Sequence, residues 1–109
     1  MGTMTEIEHI SQLEQAIDSH KAVAVVFTRP DSPDSADLFS RVKRLLRRFP
    51  KIPGYHVDVE RHPTAAREFL IYDVPTVMVY HRSNPAAKHV GGFHLEDVRS
   101  DLENINGHL

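Results

Sequence analysis

The residues best placed to do chemistry lie in one short stretch, Asp31-Ser32-Pro33-Asp34-Ser35, just after an apolar run. Two hydroxyls stand three positions apart where a helix is expected to begin. A serine becomes a nucleophile only with a base beside it, and no histidine lies near Ser32 in sequence. The simpler role for Ser32 is to cap that helix, its oxygen accepting from a free amide of the first turn. Asp31, Asp34 and Asp37 could be grouped as metal ligands, but they lack a calcium-loop pattern and read as a solvated acidic helix start. The eight histidines contain no His-x-x-x-His pair, and there is no cysteine to complete a zinc set. His81 and His89 could face each other across a late hairpin, with His94 close by. No metal and no cofactor is expected.

The elements that must hold this stretch follow from periodicity. Ile7 to Ile10 reads as a short edge strand. Ser11-Gln12-Leu13-Glu14 has the form of a capping box, and Leu13, Ala16 and Ile17 share a helical face, so a helix should run to about His20. Ala22-Val23-Ala24-Val25-Val26-Phe27 is continuously apolar and rich in β-branched residues, the pattern of a strand covered on both faces. The loop at Thr28 to Asp34 leads into a helix over Asp34 to Phe49, striped by Leu38, Val42, Leu45, Leu46 and Phe49. Its acids gather at its start, and Arg41, Lys43, Arg44, Arg47 and Arg48 toward its end. Both placements suit the helix dipole. That basic cluster reads as a solvated face; contact with RNA or an acidic partner is the alternative.

Pro50 and Pro53-Gly54 end the helix. A strand follows at Tyr55 to Val59, and a helix opened by His62-Pro63 carries Ala65, Ala66, Phe69 and Leu70. Then come a strand at Thr76 to Tyr80, a turn-rich connection from Arg82 to Ala87, a last strand from Lys88 to Phe93, and a helix striped by Leu95, Val98, Leu102 and Ile105. The order β-α-β-α-β-α-β-β-α predicts an α/β fold: a central mixed sheet of four to five strands with helices on both faces.

Composition adds boundaries. At 109 residues the chain has length for one domain; 40% hydrophobic and 26% charged residues are ordinary for a globular protein. A net charge of −2 gives no overall pull toward nucleic acid or anionic membrane. There is no apolar run of about 18 residues to span a bilayer and no signal-peptide pattern, so a cytoplasmic setting is expected. Residues 1–5 read as a disordered or vector-derived start.

The order of elements, together with four local motifs, resembles the thioredoxin-like superfamily over residues 6 to 105. Ser32-Pro33-Asp34-Ser35 falls where that family carries Cys-x-x-Cys. Asp58-Val59-Glu60-Arg61-His62-Pro63 is similar to its third-strand exit, Val74-Pro75-Thr76 to its Ile/Val-cis-Pro-Thr, and Val90-Gly91 to the Val-Gly of its last strand. The 40 positions from Ser35 to Pro75 match the family's interval. The resemblance implies a three-layer sandwich and a site made of Ser32 and Ser35 at the thiol positions, with Asp31, Pro33, Val74, Pro75, Thr76 and Gly91 binding a substrate. It implies a protein or peptide partner in extended form, and a reductase of the thioredoxin-reductase type where the thiols are present.

A cysteine at a helix start is stabilised as thiolate, its pKa falling from about 8.5 toward roughly 3.5–7.5. It attacks a disulfide, and a second cysteine resolves the mixed disulfide. Serine gains no comparable nucleophilicity. The family's tryptophan before the first cysteine is Asp31 here, and its buried aspartate is Val26. Two readings follow: an oxidoreductase silenced by Cys-to-Ser replacement, engineered in the laboratory, or a naturally cysteine-free module that binds an extended peptide.

Overall fold

The computed structural model describes residues 4–109. Its organising element is β2 (Ala22–Thr28), seven residues that are all buried. Side chains alternate across a strand, so this one segment feeds two cores. Ala22, Ala24 and Val26 face one side, packing with Val42, Leu45 and Leu46 of α2 (Pro33–Leu46) and Val98 and Leu102 of α4 (Leu95–Asn106). Val23, Val25 and Phe27 face the other, against Leu13 and Ile17 of α1 (Ile10–Ser19) and Ala65 of α3 (Pro63–Glu68). Helices therefore cover both faces.

The sheet has five strands in the order β1-β3-β2-β4-β5. β1 (Met4–Glu6) and β3 (Gly54–Asp58) run parallel to β2 on one side. β4 (Thr76–His81) and β5 (Asn84–Val90) form an antiparallel hairpin on the other. The predicted α/β class, element order and mixed sheet are the observed ones.

Several boundaries move. The first strand is Met4–Glu6, not Ile7 to Ile10, so Met4 and Thr5 are ordered partners of Gly54 and Tyr55; the rest of the expected loose start, residues 1–3, lies outside the described residues. Ile7 is buried just beyond the strand, and Ile10 opens α1. The helix starts ahead of Ser11 because the Gln12 side-chain oxygen accepts from the amides of Glu8 and His9, at 2.7 and 2.8 Å. This replaces the expected box of Ser11 with Glu14.

The connection expected over Arg82 to Ala87 is a two-residue turn, Arg82-Ser83, and β5 begins at Asn84. Both turn residues have positive φ, +53° and +69°, as a primed hairpin turn requires, without the usual glycine or asparagine. The Arg82 amide is held by the Lys21 carbonyl at 2.8 Å. Pro85-Ala86 resembles a loop in sequence, but it lies on the edge strand, opposite a register shift at Val79/Tyr80. Proline is tolerated at an edge or bulge.

Gly54 opens β3 where α2 crosses it. A Cβ there would lie 2.6 Å from Leu46 Cδ1 and 3.0 Å from Met4 Sδ. Gly54→Ala should cost about 1 kcal/mol, the low end for overpacking because both contacts are ends of flexible side chains; urea unfolding that shows equal or greater stability would refute this close approach. Tyr80 is buried, which pushes its phenol from 10.0 up to about 12. The unfolded chain loses that proton first, so the contribution is complete below pH 10 and disappears as pH rises toward 12. Thermal melts across this window should show a falling midpoint, with a shallower fall in Tyr80→Phe.

Candidate functional site

The site begins at the end of β2, where the chain leaves the sheet and turns into α2. Ser32 is the N-cap: its backbone is extended and its Oγ accepts from the Ser35 amide at 3.2 Å. Pro33 occupies the first helical position, where its missing N–H costs nothing. Asp31, Pro33 and Asp34 are exposed, and Ser32 is half-buried.

Ser35 differs. It is fully buried, and its hydroxyl has no hydrogen-bond partner among the described residues. A hydroxyl taken from water without a partner costs about 1–3 kcal/mol. A thiol in the same place behaves as a small hydrophobe and would not carry that cost. The two serines should therefore respond oppositely to truncation. Ser32→Ala should lose about 1 kcal/mol of stability with the cap, while Ser35→Ala should be neutral or stabilising by about 1 kcal/mol. Paired denaturant titrations measure both, and a Ser35→Ala loss as large as that of Ser32→Ala would mean that the hydroxyl is satisfied.

Opposite the helix start stands the loop before β4. The Val74-Pro75 peptide is cis. Pro75 accepts from the Gly91 amide at 3.0 Å, which ties the loop to the end of β5. Gly91 has φ +63°, a left-handed conformation that favours glycine. Thr76 is fully buried and its hydroxyl donates to the Asp73 carbonyl at 2.5 Å, so this side chain braces the loop rather than facing outward. Val74 is half-buried, and neither its amide nor its carbonyl is bonded to another described residue. A groove of about 310 Å³ runs between the two sides, with Asp34, Asp37 and Leu38 on one wall and Val74, Pro75 and Gly91 on the other. Of the residues expected to form the site, Val74, Pro75 and Gly91 line this groove. Asp31, Ser32 and Pro33 stand at its helix end, and Ser35 and Thr76 are buried behind it.

The structure also joins residues that sequence spacing did not connect. Thr28 Oγ1 lies 2.6 Å from His56 Nε2, and His56 Nδ1 bonds to Glu6. One residue from each of β2, β3 and β1 forms this hydroxyl–imidazole–carboxylate chain. Thr28 is almost wholly buried, and Phe39 of α2 covers the imidazole at a ring distance of 4.3 Å. Thr28 does not line the groove, and the chain links the three parallel strands. Only the strand register, which pairs His56 with Glu6 and Val26, could have revealed it.

The histidines expected to face each other do not. His81 lies beside His108, and His89 bonds to Asp101 at 2.6 Å. Among the described residues, no three histidine or acidic side chains gather as a metal site.

A helix start facing a cis proline at the end of a β-α-β-α-β-α-β-β-α sandwich is the thioredoxin fold, and the chain has that fold. It is similar to the thioredoxin of Malassezia sympodialis at 18% identity and TM-score 0.87, covering 97% of this chain and 93% of that one. It is also similar to oxidised thioredoxin O2 of Arabidopsis thaliana, at 16% identity and TM-score 0.85, with 96% of each chain covered. A designed protein matches at 26% identity and TM-score 0.84, over 94% of this chain and 96% of that one. No family model and no curated protein sequence matches the chain. The chain contains no cysteine, so it cannot carry thiol–disulfide exchange.

Proposed function

We propose that this chain is the silent form of a thiol–disulfide oxidoreductase, retaining the surface that docks an extended peptide while lacking the groups that react with it. The buried, unpartnered hydroxyl of Ser35 carries this reading. It occupies a slot that suits a thiol better than an alcohol, one turn into the helix from Ser32.

With thiols restored, the chemistry follows from the geometry. The thiolate at position 32 would attack one sulfur of a substrate disulfide, forming a mixed disulfide and releasing the other sulfur as thiolate. The thiol at position 35 would then lose its proton and attack that mixed disulfide, freeing the second substrate sulfur and closing a disulfide in the protein. Two electrons pass to the substrate, and a reductase of the thioredoxin-reductase type in the cytoplasm would return them. The helix amides favour the anionic sulfur at each stage. Docking needs no thiol. The free Val74 amide and carbonyl offer strand-like pairing to an extended segment lying in the groove.

A second reading, a naturally cysteine-free binding module, draws on Val26. This side chain is fully buried in an apolar cluster at the position where the thioredoxin family places a proton-transferring aspartate. The double variant Ser32→Cys with Ser35→Cys separates the two. Reduction of a disulfide substrate, with the thiol at position 32 titrating below about 8.5, supports the oxidoreductase. An inert variant that still binds extended peptides refutes it in favour of the module.

A further inference from the structure

We propose that the arginine-lined groove between α2 and α4 is a continuation of the peptide groove, and that it selects partners with an acidic segment beside the part docked at Pro75. The proposal rests on the peptide-docking reading above and adds to it a partner chemistry.

The groove measures about 440 Å³ and is lined by Arg41 and Arg44 of α2, Arg48 in the turn that closes α2, Arg99 of α4, and the apolar Leu45 and Leu95. A spacing of three residues places Arg41 and Arg44 on one helical face, and Arg48 follows in the turn that closes the helix. Arg41 and Leu95 also line the groove at Pro75, so the two concavities adjoin. Two of the four cations are already engaged: Arg41 pairs with Asp37 at 3.2 Å, and Arg99 pairs with Glu96 and Glu103. Arg44 and Arg48 are exposed and form no ion pair with a described residue. The dipole of α2 favours cations at this end, but it does not gather them around a concavity with a fourth arginine from another helix.

Geometry and charge together favour a peptide. Arg41 to Arg48 spans about 10 Å of helix and closing turn, the reach of about three extended residues. Carboxylates on alternate residues of a passing strand would therefore meet Arg44 and Arg48. Asp34 and Asp37 stand at the Pro75 end, and Glu96 stands beside Arg99. These acids repel a uniform polyanion such as RNA, and the lining contains no aromatic side chain on which a base could stack. A peptide that is apolar in one half and acidic in the other satisfies both regions.

The test uses two fluorescent peptides sharing an apolar, β-branched half, the other half carrying alternating Glu in one and Gln in its control. Polarisation titrations should show the Glu peptide bound on the order of tenfold tighter at low ionic strength, with the advantage shrinking as salt is raised. Arg44→Glu combined with Arg48→Glu should erase the advantage and leave the Gln peptide's affinity unchanged; circular dichroism establishes that this surface variant is folded. Equal binding of the two peptides, or an advantage that survives charge reversal, overturns the inference and leaves peptide docking intact. Failure of both peptides to bind overturns docking and inference together. A single-stranded RNA of similar charge that binds as tightly as the Glu peptide also overturns it, showing a general polyanion surface.

Discussion

Everything in this molecule depends on the burial of β2. Its seven residues supply side chains to both cores, and each of the four helices packs against a face that β2 helps to build. Burial on both sides demands apolar, mostly β-branched residues without interruption, and demands that every backbone amide be paired with a neighbouring strand. β3 and β4 meet that demand, one parallel and one antiparallel. The site is a by-product of this arrangement. Where β2 leaves the sheet at Thr28 the chain must turn, and the helix that covers the sheet starts there, opposite the loop before β4.

The features legible in the sequence are those governed by burial and by turn chemistry. The run from Ala22 to Phe27 could only be a central strand, and the stripes of α2 and α4 could only face a core. The order and spacing of the Ser-x-x-Ser, Asp-to-Pro63 and Val74-Pro75 segments placed the fold and both sides of the groove. Boundaries failed where two local rules competed. In Ile7 to Ile10 the two apolar residues stand three apart, a helical rather than a strand spacing, and a glutamine side chain set where the helix begins. Pro85 and Ala86 carry a loop signature, but the sheet edge accommodates a proline that an inner strand would reject. Long-range pairings were illegible in principle: nothing near Thr28, His56 or Glu6 announces that three parallel strands will bring them together. The buried orphan at Ser35 was hidden in the same way, because in sequence it is merely the third residue of a helix.

The two serines show how one helix start can hold two unlike environments. Ser32 lies at the rim, where a backbone amide satisfies its oxygen. Ser35 is one turn deeper, against the apolar core, where an alcohol has no partner. A fold that separates an exposed group from a buried one by a single turn already has the asymmetry that a two-thiol exchange requires, one sulfur to meet a substrate and one to wait behind it. The groove along Val74 and Gly91 lies outside this axis, and its shape is independent of which atoms occupy the helix start.

The outer strands carry a further consequence. Among the described residues β1 is three residues long, and its Glu6 is bound inward to His56. β5 has its regular ladder interrupted by a register shift, presents Pro85 on its outer side, and has Lys88 bound to the Leu70 carbonyl at 2.9 Å. Neither margin offers the long, unbroken ladder on which a foreign strand, or another copy of the same one, could template. The protein is thereby guarded against cross-β association at both margins, and with no thiols it is equally free of covalent crosslinking on exposure to air. The groove at the end of the sheet is thus carried on strands whose margins resist sheet-to-sheet polymerisation.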